Sequence, residues 1–254
     1  MYFSLLPFLF AALPFASANP RVPTIPKNAT LPKHFGILLY NGFTELDVYG
    51  PLGVLQGLYA QFLHPNLHLS IISKNIMPVS SVPGLRGDFG ESVVVTSTFG
   101  SILAQNGTVP GKGPLEVLLV PGGAGSRNEL EEEVTFIKAI YPKLKHIMSV
   151  CTGSTLLARS GILDGRKATT NKKAWAWATS TGPKVDWVHT ARWVPDGNIW
   201  TSSGVSAGID LTYAWVGNVY GEDVADYIAQ AIEYKRWYNA TDDPFAAVWN
   251  EPEP

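Results

Sequence analysis

The chain has one cysteine, Cys151, in 254 residues. That excludes an internal disulfide framework and any zinc site built from several thiolates. Charge of either sign is not in excess. Nineteen Lys and Arg stand against 21 Asp and Glu, so there is no basic footprint for nucleic acid and no such partner is expected. There is no uninterrupted apolar run of the roughly 20 residues that a spanning helix needs. The phosphate-loop spacing G-x-x-x-x-G-K-[ST] is also absent. What is there is 46% apolar, 11% aromatic and 16% charged, a core-forming composition that argues against disorder.

The first 18 residues stand apart. They carry no charge, hold short apolar runs broken by Pro7 and Pro14, and end in Ala16-Ser17-Ala18. This small-x-small ending reads as a secretory signal peptide, although the basic n-region is missing. A secreted protein, in the secretory pathway or outside the cell, follows as the expectation, with no membrane association after cleavage. Asn28, Asn106 and Asn239 each begin an N-x-Thr triplet without proline in the middle and are glycosylation acceptors in that compartment. Asn106 is the foremost of them, in a Gly/Pro-rich stretch read as a loop.

Residues 19–33 read as an extended, proline-rich arm, 34–240 as one α/β domain and 241–254 as a tail. Strands are expected over 34–40, 67–73, 93–95, 115–120, 146–150, 167–170, 187–194 and 199–202, from short apolar or alternating runs bounded by turn residues. Helices are expected from about Gly50 to Leu63 with Pro51 in the first turn, then over 129–144, 155–159, 205–219 and 223–238. Alternation of this kind predicts a mostly parallel sheet covered on both faces.

Val150-Cys151-Thr152-Gly153-Ser154 puts the thiol where a buried strand turns sharply into a helix. This is the geometry of a nucleophile elbow, and the helix N-terminus is expected to lower the thiol pKa. The competing reading is a buried cysteine acting as a small hydrophobe. Position, and an unpaired thiol in a secreted chain, favour the nucleophile. Pro121-Gly122-Gly123-Ala124-Gly125 also ends a strand. It is either a backbone N–H cradle for developing negative charge or an ordinary tight connection.

Four motifs occur in order: Phe35 to Tyr40 with Glu45-Leu46-Asp47-Val48-Tyr49-Gly50-Pro51, then Val120-Pro121-Gly122-Gly123, then Val150 to Ser154, then Gly204 to Asp210. Together they resemble the DJ-1/PfpI superfamily, and within it the isocyanide (isonitrile) hydratase branch. The resemblance implies a flavodoxin-like three-layer sandwich, a mostly parallel central sheet and a homodimer. Cys151 matches the family nucleophile, and Asp47 matches the acidic residue that contacts the sulfur in the hydratase branch. Glu45, two residues earlier, is a nearby carboxylate. A histidine expected after the strand that follows the elbow helix is replaced by Asn171. None of His34, His64, His68, His146 or His189 is well placed to substitute, which disfavours a Cys-His protease.

The reading that follows is a cysteine-dependent hydratase turning an isocyanide into an N-substituted formamide through a thioimidate. It needs a small-molecule substrate, no cofactor and no metal. Cys151 would attack, Asp47 would supply a proton or position water, and Gly122, Gly123 and Thr152 would orient the reacting groups. Glu45, Asn171 and Trp175 are candidate pocket residues, although Trp175 and Trp177 read first as packing. Lys172-Lys173 and Asp242-Asp243 read as solvated charge, and Asp210 as structural. Alternatives are a glyoxalase-like enzyme or an amidase on the same thiol, or a non-catalytic redox or chaperone-like protein. A DNA-binding regulator of this superfamily carries an appended helix-turn-helix module, which the 16 residues after Tyr238 do not supply.

Overall fold

The computed structural model describes residues 21–25, 31–63, 65, 67–82 and 88–249. The expected signal peptide, Asn28 and His64 lie outside the described residues. Seven strands form the central sheet: β1 (His34–Leu38), β2 (His68–Ser73), β3 (Ser97–Thr98), β4 (Val117–Val120), β5 (His146–Ser149), β6 (Trp193–Asp196) and β7 (Ile199–Ser202). Their order is β6-β7-β5-β4-β1-β2-β3. Every neighbouring pair is parallel except β6 with β7.

The sheet is buried on both faces, which is why β1 and β4 read as continuous apolar runs. Side chains alternate across it with period two. Phe35, Ile37, Val117, Leu119 and Met148 join one core with α1 (Glu45–Leu58), α6 (Val205–Tyr220) and α7 (Glu222–Ala231). Leu38, Leu118, Val120 and Ile147 join the other with α2 (Phe99–Ala104), α3 (Glu131–Ile140) and α4 (Ser154–Arg159). The result is the flavodoxin-like sandwich, with α5 (Trp175–Ser180) and α8 (Phe245–Val248) at its margin. The carboxyl ends of β1, β4 and β5 lie side by side, where open α/β sheets place their sites.

Several expected elements differ. Helix α1 starts at Glu45, not near Gly50, and Pro51 lies inside it. Thr44 N–H is anchored on Gly122 O at 2.9 Å, and Glu45 and Asp47 in the first turn suit the helix dipole. The earlier start turns Leu46 out to solvent and Asp47 inward. Expected strand 93–95 shrinks to Ser92–Val93, paired with Val79–Ser80 outside the main sheet. Lys167–Ala168 likewise pairs only with Asp186–Trp187. The expected 187–194 strand is broken by a turn at His189 and Thr190. Helix α7 stops at Ala231 because Glu233 takes a left-handed φ of 57°. The Asn106 stretch is a tight hairpin, Thr108–Val109 against Gly113–Pro114.

Candidate active site

Cys151 follows β5 with Val150 alone between them and holds a left-handed φ of 56°. A β-carbon in that region costs on the order of 1–3 kcal/mol, so the surroundings must impose it. Val150 N–H is fixed on Val120 O at 3.1 Å. The Cys151 carbonyl accepts from Ser154 Oγ at 3.2 Å and Thr170 Oγ1 at 3.3 Å. Below the elbow, a β-carbon on Gly208 would lie 2.5 Å from Val150 Cγ1. Helix α6 can therefore pass this close only with glycine there.

Gly122 is the point where three segments meet. A β-carbon on it would lie 2.6 Å from Thr152 N and 2.9 Å from Asp47 Oδ2. Its N–H donates to Asp47 Oδ2 at 2.8 Å, and Gly123 N–H donates to Thr152 Oγ1 at 3.1 Å. This corrects the expectation that Gly122 and Gly123 present free amides to a reacting group. Both amides are occupied in holding Asp47 and Thr152. Tyr40 Oη donates to Pro121 O at 2.7 Å, and the Ser126 hydroxyl lies 2.7 Å from Gly123 O and 2.9 Å from Thr152 Oγ1. Neither Tyr40 nor Ser126 was expected. Their signal is position alone, since each lies within a few residues of the end of β1 or β4.

Asp47 is fully buried, and its Oδ1 has no hydrogen-bond partner among the described residues. Burial raises its pKa to about 7 against the opposing Gly122 hydrogen bond. Burial also pushes the Cys151 thiol well above its ordinary range, and the Asp47 charge adds to this. Hydrogen bonds from Thr152 N–H, the Thr152 side chain and the Asn171 side chain work in the opposite direction. The expected lowering of the thiol pKa by the helix N-terminus is thus reversed, because desolvation outweighs it. The resting sulfur is a neutral thiol beside a carboxyl that titrates at neutral pH.

Other expected residues fall elsewhere. Glu45 is exposed and accepts from Ser81 Oγ at 2.7 Å. Trp175 packs edge-on against His189, with 4.6 Å between ring centroids, and against Trp187. Trp177 lies under the Arg127 guanidinium at 4.1 Å. Asn106 and Asn239 are exposed. His34, His68 and His146 sit at the amino ends of β1, β2 and β5, away from the thiol. Among the described residues, no group of three His, Cys, Asp or Glu side chains gathers in a metal-binding arrangement.

Two surface readings are overturned. Lys172 is buried, with Nζ 3.4 Å from Asp243 Oδ2 and further bonds to Thr169 Oγ1 and Ala191 O. Asp243, read as solvated charge, accepts from Ser203 Oγ at 2.5 Å. Beside this pair opens a cavity of about 280 Å³, with Leu46, Asn171, Val205, Phe245 and Trp249 among its walls.

The DJ-1/PfpI family matches residues 33–217 of the chain. An isonitrile hydratase of Pseudomonas putida is 32% identical over 206 residues, covering 78% of this chain and 77% of that protein. The HTH-type transcriptional regulator GbdR of Pseudomonas aeruginosa is 26% identical over 224 residues, covering 87% of this chain and 56% of the regulator. A deglycase of Pyrococcus horikoshii is 33% identical over 134 residues, covering 52% of this chain and 72% of that protein. The crystal structure of a ThiJ/PfpI family protein from Pseudomonas syringae superposes with a TM-score of 0.64 at 27% identity, covering 91% of this chain and 86% of that one.

Proposed function

The chain belongs to the DJ-1/PfpI family, and from that premise we propose that it is a cysteine-dependent hydratase converting an isocyanide to an N-substituted formamide. In this reading it acts in the secretory pathway, as a homodimer. The observation that supports the chemistry is the Asp47 carboxyl. Oδ2 is locked on Gly122 while Oδ1 is buried and unpaired, with a pKa of about 7, next to a neutral thiol.

Asp47 carboxylate takes the Cys151 proton as sulfur bonds to the terminal isocyanide carbon, then hands that proton to the same carbon. The product is a thioimidate, R–N=CH–S–Cys151. Water adds across the C=N bond, with Asp47 accepting a water proton and passing it to the nitrogen, which gives R–NH–CH(OH)–S–Cys151. Collapse breaks the C–S bond as the hydroxyl proton moves by way of Asp47 to sulfur, and R–NH–CHO is released. The net change is one water added, with no oxidant and no metal in the balance. A general acid-base group with a pKa near the working pH is the efficient choice for both transfers.

The test is formamide production from a panel of aryl and alkyl isocyanides, with wild type beside Cys151→Ala. Turnover lost in the variant supports the reading. No turnover with a thiol that still reacts with iodoacetamide rejects isocyanides as substrates and keeps the nucleophile. The deglycase relative motivates an aldehyde arm in the same panel.

A further inference from the structure

We propose that the C-terminal segment around Phe245 and Trp249 is the specificity wall of this site and selects substrates carrying an aromatic substituent. The inference rests on the reading of Cys151 as the nucleophile. It begins from the cavity of about 280 Å³, near the lower bound of roughly 300 Å³ for small-molecule pockets.

The cavity adjoins the site through Asn171, which lines it and whose side chain bonds to Cys151. Another side is the segment expected to be a solvated tail. Phe245, Trp249 and Leu46 remain 45%, 39% and 49% exposed around this one opening. Large apolar side chains clustered at a cavity mouth mark a binding surface. Two aromatic rings there offer stacked or edge-to-face contact to a third ring.

The wall is held from beneath by charge. The Asp243 side chain, 1% exposed, pairs with Lys172 at 3.4 Å and with Arg192 at 3.9 Å. Its Oδ1 accepts Phe245 N–H at 3.2 Å, fixing the start of α8. Lys172 adjoins Asn171 in sequence, so one buried ion pair positions both the wall and the residue that touches the thiol. Lys173 Nζ lies 5.4 Å from the Trp249 ring centroid, a cation–π contact that favours one orientation of the indole. Asp243 is accordingly a positioning residue, and Phe245 and Trp249 contact the substrate's substituent.

The experiment compares alkylation rates of Cys151 by iodoacetamide and by N-benzyl iodoacetamide, read by mass spectrometry of the full chain. Wild type is expected to favour the benzyl reagent. The benzyl-to-small ratio falls about three- to tenfold in Trp249→Ala and in Phe245→Ala, the scale of one aromatic contact. Val248→Ala, on the same short helix and 65% exposed, keeps the wild-type ratio. Asp243→Asn lowers the ratio along with the ordering of the wall. An unchanged ratio in both aromatic variants, an equal fall in Val248→Ala, or a folded protein whose thiol neither reagent reaches overturns the proposal. This readout does not depend on isocyanide turnover. A ratio that depends on Trp249 without turnover keeps the wall and rejects the hydratase. Turnover with an indifferent ratio does the reverse.

Discussion

Gly122 holds only one oxygen of Asp47: its amide meets Oδ2 at 2.8 Å, and Oδ1, in the same buried carboxyl, has no partner among the described residues. A carboxyl satisfied on one side and bare on the other, at a pKa of about 7, is arranged to exchange a proton with whatever enters beside it. The active form of the Asp47–Cys151 pair holds a single proton, and protonation of both groups switches it off. Turnover should therefore rise with pH through about 7 and level off above. Asp47→Asn should lose this rise and about 10²–10⁴ in rate. A pH-rate profile of the variant that matches wild type would remove Asp47 from the proton path.

The same carboxyl destabilises the fold when ionised. Its folded pKa of about 7 lies above the ordinary 3.8, so the folded state binds the extra proton and stability falls as pH rises between those values. Asp47→Asn keeps an acceptor for Gly122 N–H and removes the buried charge. Its melting temperature should exceed that of wild type at pH 8, by an amount corresponding to a few kcal/mol at about 1.4 kcal/mol per pKa unit. The difference should close toward pH 4. Thermal melts of both proteins across pH 4–8 check this, and parallel curves refute it.

Gly122→Ala introduces a β-carbon 2.6 Å from Thr152 N and 2.9 Å from Asp47 Oδ2. The first contact is to backbone and the second to a buried carboxylate oxygen held by Gly122 N–H itself, so the turn after β4 must shift. Displacement of about 1 Å at such a point lowers turnover by roughly 10². Steady-state kinetics should show the loss in kcat, and far-ultraviolet circular dichroism should remain that of wild type.

Asp243→Ala leaves the Lys172 ammonium buried without its carboxylate. Breaking one side of such a pair costs about 3–5 kcal/mol, whereas replacing both sides by apolar groups is often close to neutral. Urea denaturation should thus show a large loss for Asp243→Ala and substantial recovery for the double variant Lys172→Met with Asp243→Leu. Additive losses would mean that the pair contributes nothing as a pair.

Wherever the information was local, the chain could be read from its sequence. Strands β1, β4 and β5 announce themselves as short runs buried on both faces, and the strand-turn-helix at Cys151 needs only neighbouring residues to be seen. The start of α1 was missed because Pro51 resembles a first-turn proline, while the bond from Thr44 to Gly122 that fixes the earlier start spans 78 residues of sequence. Lys172 and Asp243 looked solvated for the same reason, since each is charged and the partner that lets it be buried lies 71 positions away. Trp175 and Glu45 lie close in sequence to Asn171 and Asp47, yet their side chains turn to His189 and to Ser81. The aromatic walls of the cavity came instead from Phe245 and Trp249, which no local pattern connects to a site at Cys151.

The enclosure of Cys151, 7% exposed and held neutral, also governs how long the sulfur survives. Disulfide exchange and peroxide attack both proceed through an accessible thiolate. A chain with a single cysteine has no second thiol of its own to resolve an oxidised sulfur, so exclusion is the protection that the fold itself supplies. On the proposed reading of Phe245 and Trp249 as the wall of the site, bulky oxidised thiols in solution are turned away by shape before reactivity is tested.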